Sequence, residues 1–288
     1  MDLDGDGKRD ILSGSYTRNE KDMAGLFQIL RGKADGTFHK AEVLKGTDGE
    51  PLIIPLNGRE MTENICTRPF AVDWDGDGQL DLVVGTFAGS FYLFKGEGNG
   101  KFQPKPDQIK SGDQPLKNEG YHGDPFVIDW DGDGDLDLLS GSAQGGVQWA
   151  ENQAGVGKPP RLSKFQPLIE RSAQIESGQI LRDADLKGPQ SDTRIWVADV
   201  NSDGKLDVLV GDMTTLISPA DGLSEEEFKT RFADWNKSSS EAIEQVNADD
   251  VDQKTRQKAQ QRFQKLYEGR KEFMNEDRTG FVWLYLRK

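Results

Sequence analysis

Four segments of the chain crowd carboxylates together and then turn apolar: DLDGDGKRDILS (2–13), DWDGDGQLDLVV (73–84), DWDGDGDLDLLS (129–140) and DVNSDGKLDVLV (199–210). Counting each first Asp as position one, polar side chains fall at positions one, three, five and nine. They are Asp2, Asp4, Asp6 and Asp10; Asp73, Asp75, Asp77 and Asp81; Asp129, Asp131, Asp133 and Asp137; and Asp199, Asn201, Asp203 and Asp207. Carboxylates packed this closely repel one another unless a cation sits among them. Hard oxygen donors around a tight turn suit Ca2+, which tolerates flexible, oxygen-rich coordination. Glycine at position six (Gly7, Gly78, Gly134, Gly204) supplies the permissive backbone of the turn. Position seven (Lys8, Gln79, Asp135, Lys205) varies in type, as fits a residue that offers only its carbonyl oxygen. The expectation is up to four structural Ca2+ ions, one per segment.

The first six positions match an EF-hand loop, and the flanks decide against it. An EF-hand needs a bidentate Glu at position twelve and a helix on each side. Position twelve is Ser13, Val84, Ser140 or Val210, and the flanks, such as FAVDW and LDLVVG, are short β-branched or aromatic runs. These read as strands. The segments recur at intervals of 71, 56 and 70 residues, too long for paired calcium-loop modules. Asp-Gly hairpin turns alone would not require acid at all four positions.

The repeat extends past each loop. A further strand follows at GLFQILRG (25–32), GSFYLFKG (89–96), GGVQWAEN (145–152) and GFVWLYLR (280–287), then an outer one at GTFHKAEVL (36–44), GKFQPKPDQI (100–109) and SKFQPLIE (163–170). A four-stranded antiparallel unit in tandem is the signature of a β-propeller blade. The fold class expected is therefore all-β, with blades at about 1–57, 58–115, 116–185 and 186–288 forming one domain over 1–288. Met1 directly precedes the first loop Asp, so the first blade lacks an inner strand, which leads to the expectation of a chain truncated at its N-terminus with four blades visible.

The loops DWDGDGQLDLVVG, DWDGDGDLDLLSG and DVNSDGKLDVLVG resemble FG-GAP (VCBS-type) repeats, the calcium-binding blades of integrin-α-like propellers. The resemblance covers the chain apart from about 213–279. It implies that each Asp loop joins the first and second strands of a blade, all on one face. The FG and GAP residues are themselves poorly kept, with VVGTFAG and LLSGSAQG in their place.

Residues 213–279 differ in character. Ser224 and Glu227 form a capping box, with Phe228, Phe232 and Trp235 at helical spacing. A second run, about 249–274, carries Phe263, Leu266, Tyr267 and Met274 on one face, and the serine cluster KSSSEA (237–242) reads as a break, with a short third helix over 241–246. The segment is expected to be an α-helical hairpin inserted in the last blade. Opposite the Asp loops, long connectors over 45–68, 105–124 and 171–193 gather with this insertion. There Arg68, Tyr121, His122 and Asp124 immediately precede or begin inner strands, which makes them candidate ligand contacts near a channel mouth.

Composition limits the functional classes. The net charge of −14 argues against nucleic acid, which needs a basic stripe. No apolar run is long enough for a membrane-spanning helix. The single cysteine, Cys66, rules out an intrachain disulfide framework. The reading favoured is a non-enzymatic, calcium-binding recognition or adhesion scaffold, extracellular, periplasmic or at the cell surface, with a protein or glycan ligand on the face opposite the loops. The alternatives are a polysaccharide lyase or hydrolase, for which only His39 and His122 and no nucleophile elbow are at hand, and a carbohydrate-binding module stacking sugars on Trp74, Trp130 or Trp149. The position-two placing of Trp74 and Trp130, where Leu3 and Val200 stand elsewhere, favours packing instead.

Overall fold

Runs such as LDLVVG and LDLLSG are apolar at consecutive rather than alternate positions. A strand reads this way when both its faces are covered. In a computed structural model of the chain, which describes residues 1–16, 25–56, 58–173 and 175–288, these runs are the second strands of stacked antiparallel sheets. Residues 17–24 of the first expected blade, and positions 57 and 174 in the connectors, lie outside the described residues.

The first sheet holds β1 (Ile11–Ser13), β2 (Gln28–Leu30) and β3 (Glu42–Val43). The second holds β4 (Arg68–Val72), β5 (Asp81–Gly85) and β6 (Phe91–Phe94); the short pair β7 (Gly96–Gly98) and β8 (Lys101–Phe102) precedes its fourth strand, β9 (Asp107–Gln108). A small hairpin, β10 (Lys110–Ser111) with β11 (Gln114–Pro115), leads to the third sheet of β12 (Asp124–Ile128), β13 (Asp137–Gly141), β14 (Val147–Ala150) and β15 (Gln166–Ile169). The fourth begins with β16 (Ser191–Ala198) and β17 (Asp207–Pro219). Two helices, α1 (Glu225–Asn247) and α2 (Gln253–Gly269), come next, followed by β18 (Met274–Thr279) and β19 (Val282–Tyr285).

Side-chain alternation sets the stacking. Leu82 and Val84 of β5 join Phe27, Ile29 and Leu52 of the first sheet region in one core. Val83, between them, points the other way and packs with Val127 and Leu138 of the third sheet. Leu139, next to Leu138, packs in turn with Val197, Val208 and Val210 of the fourth. The first strands are neighbours as well, with Phe70 and Phe126 rings 4.9 Å apart and Phe126 and Trp196 rings 5.4 Å apart. Glycines ending the second strands permit this approach. A Cβ on Gly85 would lie 2.2 Å from the Gly123 carbonyl oxygen, and one on Gly141 would lie 2.3 Å from that of Thr193.

The chain divides into two compact units. One comprises Met1–Ser172, Gly188–Met213 and Phe281–Lys288; the other comprises Ala173–Lys187 and Thr214–Gly280. Within the first, Val208–Gly211 of β17 pair with both β16 and β19. Within the second, Thr214–Pro219 pair with all of β18, and Phe228, Phe273 and Met274 form a small core with Ile217 and Trp235.

Several expectations need correction. Residues 213–279 are not helical throughout, because Thr214–Pro219 and Met274–Thr279 are strands; Met274 starts β18, buried against Phe228, instead of ending a helix. KSSSEA does not break the first helix, and there is no separate helix over 241–246: α1 runs through it. No Pro or Gly interrupts the stretch, Ser239 is buried with its hydroxyl donating to the Trp235 carbonyl, and Ala242 packs inside. The expected outer strand 36–44 shrinks to Glu42–Val43, leaving His39 in a loop. The capping box has the expected form, with Ser224 Oγ accepting from the Glu227 amide and the Glu227 carboxylate accepting from that of Ser224.

Candidate functional site

Each Asp loop joins a first strand to a second: β4 to β5, β12 to β13 and β16 to β17, with the loop at 2–10 leading into β1. A carboxylate next to successive backbone amides closes Asx turns, and all four loops do so alike. The position-one carboxylate clasps the turn through both oxygens: Asp73 accepts from the Gly76 and Gly78 amides at 2.9 Å each, and Asp129 from Gly132 at 2.8 Å and Gly134 at 3.1 Å. Asp2 accepts from Gly5 and Gly7, and Asp199 from Asp203 and Gly204. Position five accepts the amide of position seven in every copy: Lys8 to Asp6, Gln79 to Asp77, Asp135 to Asp133 and Lys205 to Asp203.

Position nine has a second task that the spacing alone does not disclose. Asp10, Asp81, Asp137 and Asp207 are buried, and each accepts two amides through its two oxygens. One oxygen takes the amide of position two: Leu3 at 3.1 Å, Trp74 at 3.4 Å, Trp130 at 3.0 Å and Val200 at 3.0 Å. The other takes an amide just past the third strand: Gly32 at 2.9 Å, Gly96 at 2.8 Å, Asn152 at 2.7 Å and Arg287 at 3.0 Å. These carboxylates pin the loop to the sheet. Burial raises the pKa of Asp81 and pushes that of Asp137 up to about 6, against the pull of the donated amides.

Carboxylate oxygens converge in three loops. One oxygen each from Asp2, Asp4 and Asp6, from Asp73, Asp75 and Asp77, and from Asp129, Asp131 and Asp137 lie within 4.8 Å of one another. In the fourth loop Asn201 replaces the position-three acid, and its amide donates to Asp203 at 3.0 Å. Asp75 Oδ1 and Asp135 Oδ1 are buried without any donor, an unmet acceptor that a cation would satisfy. A hard-oxygen set with orphaned oxygens fits Ca2+. Asp135 thus brings a buried side chain to its loop, beyond the carbonyl expected of position seven; burial raises its pKa, and the neighbouring acids add to the effect.

Basic side chains enter two of the loops. Arg31 Nη1 lies 2.8 Å from Asp4 Oδ2 and 3.4 Å from Asp10 Oδ2. Lys95 Nζ contacts Asp75 and stands 3.5 Å from Asp77 and 3.9 Å from Asp81. Burial opposes charge on Lys95, but the Asp75 hydrogen bond and the surrounding acids outweigh it and raise its pKa. Lys8 pairs with Asp6 at 2.8 Å, which lowers the acid and raises the amine. Trp74 and Trp130 are buried packing residues; the Trp74 indole donates to the Leu136 carbonyl, and the Arg287 guanidinium lies over Trp130.

The other four candidate residues lie at the opposite ends of the first strands. Arg68 heads β4, Asp124 heads β12, and Arg194 holds the equivalent register within β16, each paired with a glycine of the following strand (Gly85, Gly141 and Gly211). Asp124 Oδ1 sits 3.8 Å from Arg68 Nε and 3.5 Å from Arg194 Nη1. Two residues before each of these stand Cys66, His122 and Asp192, all at positive φ (55°, 53° and 49°). Non-glycine residues held there store strain, which tends to gather at functional sites. His122 Nδ1 and Asp192 Oδ1 are 3.1 Å apart, and the Phe87 ring lies 4.6 Å from that of His122. Tyr121 is exposed and approaches Phe87 at 6.3 Å.

Burial lowers the pKa of His122, helped by Arg68 and opposed by Asp192, and raises that of Asp124 against the two arginines. It also lowers Arg68 and pushes the Cys66 thiol up, which disfavours the reactive thiolate. Arg68, His122 and Asp124 thus share one cluster, with Tyr121 at its rim. Sequence reasoning overlooked Cys66, Phe87, Asp192 and Arg194. The aligned triplets CTR (66–68), HGD (122–124) and DTR (192–194), each at the start of an inner strand, carried the signal.

No helix among the described residues is long and apolar enough to cross a membrane. No curated protein matches the chain. The family described as FG-GAP-like repeat matches residues 73–140 and again 129–210, the two matches sharing the third loop. Each match runs from one Asp loop, through its sheet, to the end of the next loop segment. Residues 73–210 are therefore FG-GAP-like repeats.

Proposed function

We propose that the chain is a calcium-braced recognition scaffold, its stacked sheets the blades of a β-propeller and its ligand bound away from the metal. The observation that carries this reading is the recurring convergence of loop oxygens, with a buried acceptor left unmet at Asp135. Asp73, Asp75 and Asp77, their counterparts at 2–6 and 129–133, and the buried position-nine acids would surround the ion, with a weaker set at Asp199, Asn201, Asp203 and Asp207. Bound Ca2+ supplies positive charge that relieves repulsion among these carboxylates and pins the hairpin.

Lacking a bidentate Glu, such sites suit the abundant calcium found outside cells, which favours an extracellular, periplasmic or surface setting. The exposed outer face of the fourth sheet, with Trp196, Val282, Leu284 and Leu286, is the kind of surface that sheet-on-sheet packing buries elsewhere in the stack and supports the propeller reading. The cluster of Arg68, Tyr121, His122 and Asp124 is proposed as the ligand end. Its mixed charge and exposed Tyr121 suit a protein or glycan.

Thermal unfolding in calcium and in excess chelator tests the metal. Saturating calcium at about a hundred times its Kd should stabilise the fold by about 2.7 kcal/mol per site, a shift of several degrees. Superimposable melting curves would remove the calcium reading.

A further inference from the structure

The residue at the end of each third strand differs sharply among the four repeats. It is Arg31, Lys95, Glu151 and Leu286, each immediately before the residue whose amide is held by the position-nine acid: Gly32, Gly96, Asn152 and Arg287. In the first two repeats the scaffold aims this side chain at its own loop. Lys95 reaches the acids at positions three, five and nine of the second loop, and Arg31 reaches positions three and nine of the first. Among the described residues, no Lys or Arg ion pair reaches the acids of the third or fourth loop. In the third, an acid, Glu151, stands where Lys95 stands in the second, and Asp135 is 5% exposed with an Oδ1 that meets no donor.

We infer that Lys95 and Arg31 are tethered counter-ions that occupy the cation position of their loops, leaving the third loop as the principal calcium site. This rests on the calcium reading above. An ammonium among three carboxylates must leave, or tolerate a like charge at close range, before a divalent ion can enter. A loop with a built-in cation keeps its shape without metal and binds metal weakly. The third loop has no such substitute, and the fourth is one charge poorer through Asn201. The repeats thus divide into calcium-independent and calcium-dependent hairpins in one chain.

Calcium binding to the full chain by equilibrium dialysis tests the division, with Lys95→Gln, Glu151→Lys and, as a charge control, Lys110→Gln on an exposed strand. Lys95→Gln should add one equivalent or tighten a weak second-loop site by about tenfold or more. Glu151→Lys should remove the strongest equivalent, and Lys110→Gln should change neither. Circular dichroism confirms that each variant is folded; should Lys95→Gln not fold, Glu151→Lys still decides the question. Binding by the wild type with isotherms unchanged in both Lys95→Gln and Glu151→Lys would overturn the counter-ion inference and leave the calcium reading intact. No binding by the wild type or any variant at about 10 mM calcium, well above the affinity of extracellular modules, would overturn the calcium reading itself.

Discussion

Replacing Asp137 by Ala in excess chelator separates its bracing role from any metal role. The side chain is fully buried and accepts two amides, Trp130 at 3.0 Å and Asn152 at 2.7 Å. A hydrogen bond to a charged group contributes about 1.5–3 kcal/mol, and an amide left buried without a partner costs a comparable amount. Two such bonds would give about 3–6 kcal/mol. Burial has already pushed this carboxyl up to about 6, so ionising it inside the protein offsets part of that gain. The expected destabilisation is thus about 2–4 kcal/mol by the usual range for a broken buried network. Asp133→Ala, at an exposed position of the same loop, should stay within about 0.5 kcal/mol in chelator. Urea titration followed by fluorescence measures both, and in saturating calcium both variants should fall behind the wild type. A loss below about 1 kcal/mol for Asp137→Ala in chelator would refute the bracing argument.

Other outcomes follow from the same geometry. His122 has its pKa lowered below 6.5, so the folded state favours the neutral ring; its stabilising contribution is complete above pH 6.5 and declines as the pH falls toward the lowered value. His122→Gln should flatten the stability profile below pH 6.5, and parallel profiles for variant and wild type would contradict this. Gly141→Ala sets a methyl 2.3 Å from a backbone oxygen and should cost about 1–3 kcal/mol or more, whereas Gly211→Ala, with nothing nearer than 3.9 Å, should be nearly neutral by urea titration. Phe228→Ala empties the centre of the small helix-associated core and should destabilise the second unit by about 3–5 kcal/mol, read by hydrogen exchange in Thr214–Gly280.

The sequence by itself determined the repeat and most of its local chemistry. Acid at alternate positions, glycine at position six and β-branched flanks specify a turn between strands, because each is a local demand of backbone geometry. The capping box at Ser224 was legible for the same reason. Other features waited for the tertiary structure, since they join residues far apart in the chain. Only the packed third strand shows that Asp81 and Asp137 hold amides 15 residues away, that Lys95 reaches across 20 residues to Asp75, and that Glu151 takes the corresponding place in the third repeat. The Arg68–Asp124–Arg194 cluster forms because three first strands lie side by side, bringing together residues more than 50 positions apart. Helix α1 passing through KSSSEA belongs to the same class: serine disfavours a helix locally, and burial of Ser239 and Ala242 overrides that preference. Local propensity thus chose the loops, and packing between sheets chose which charge each loop meets.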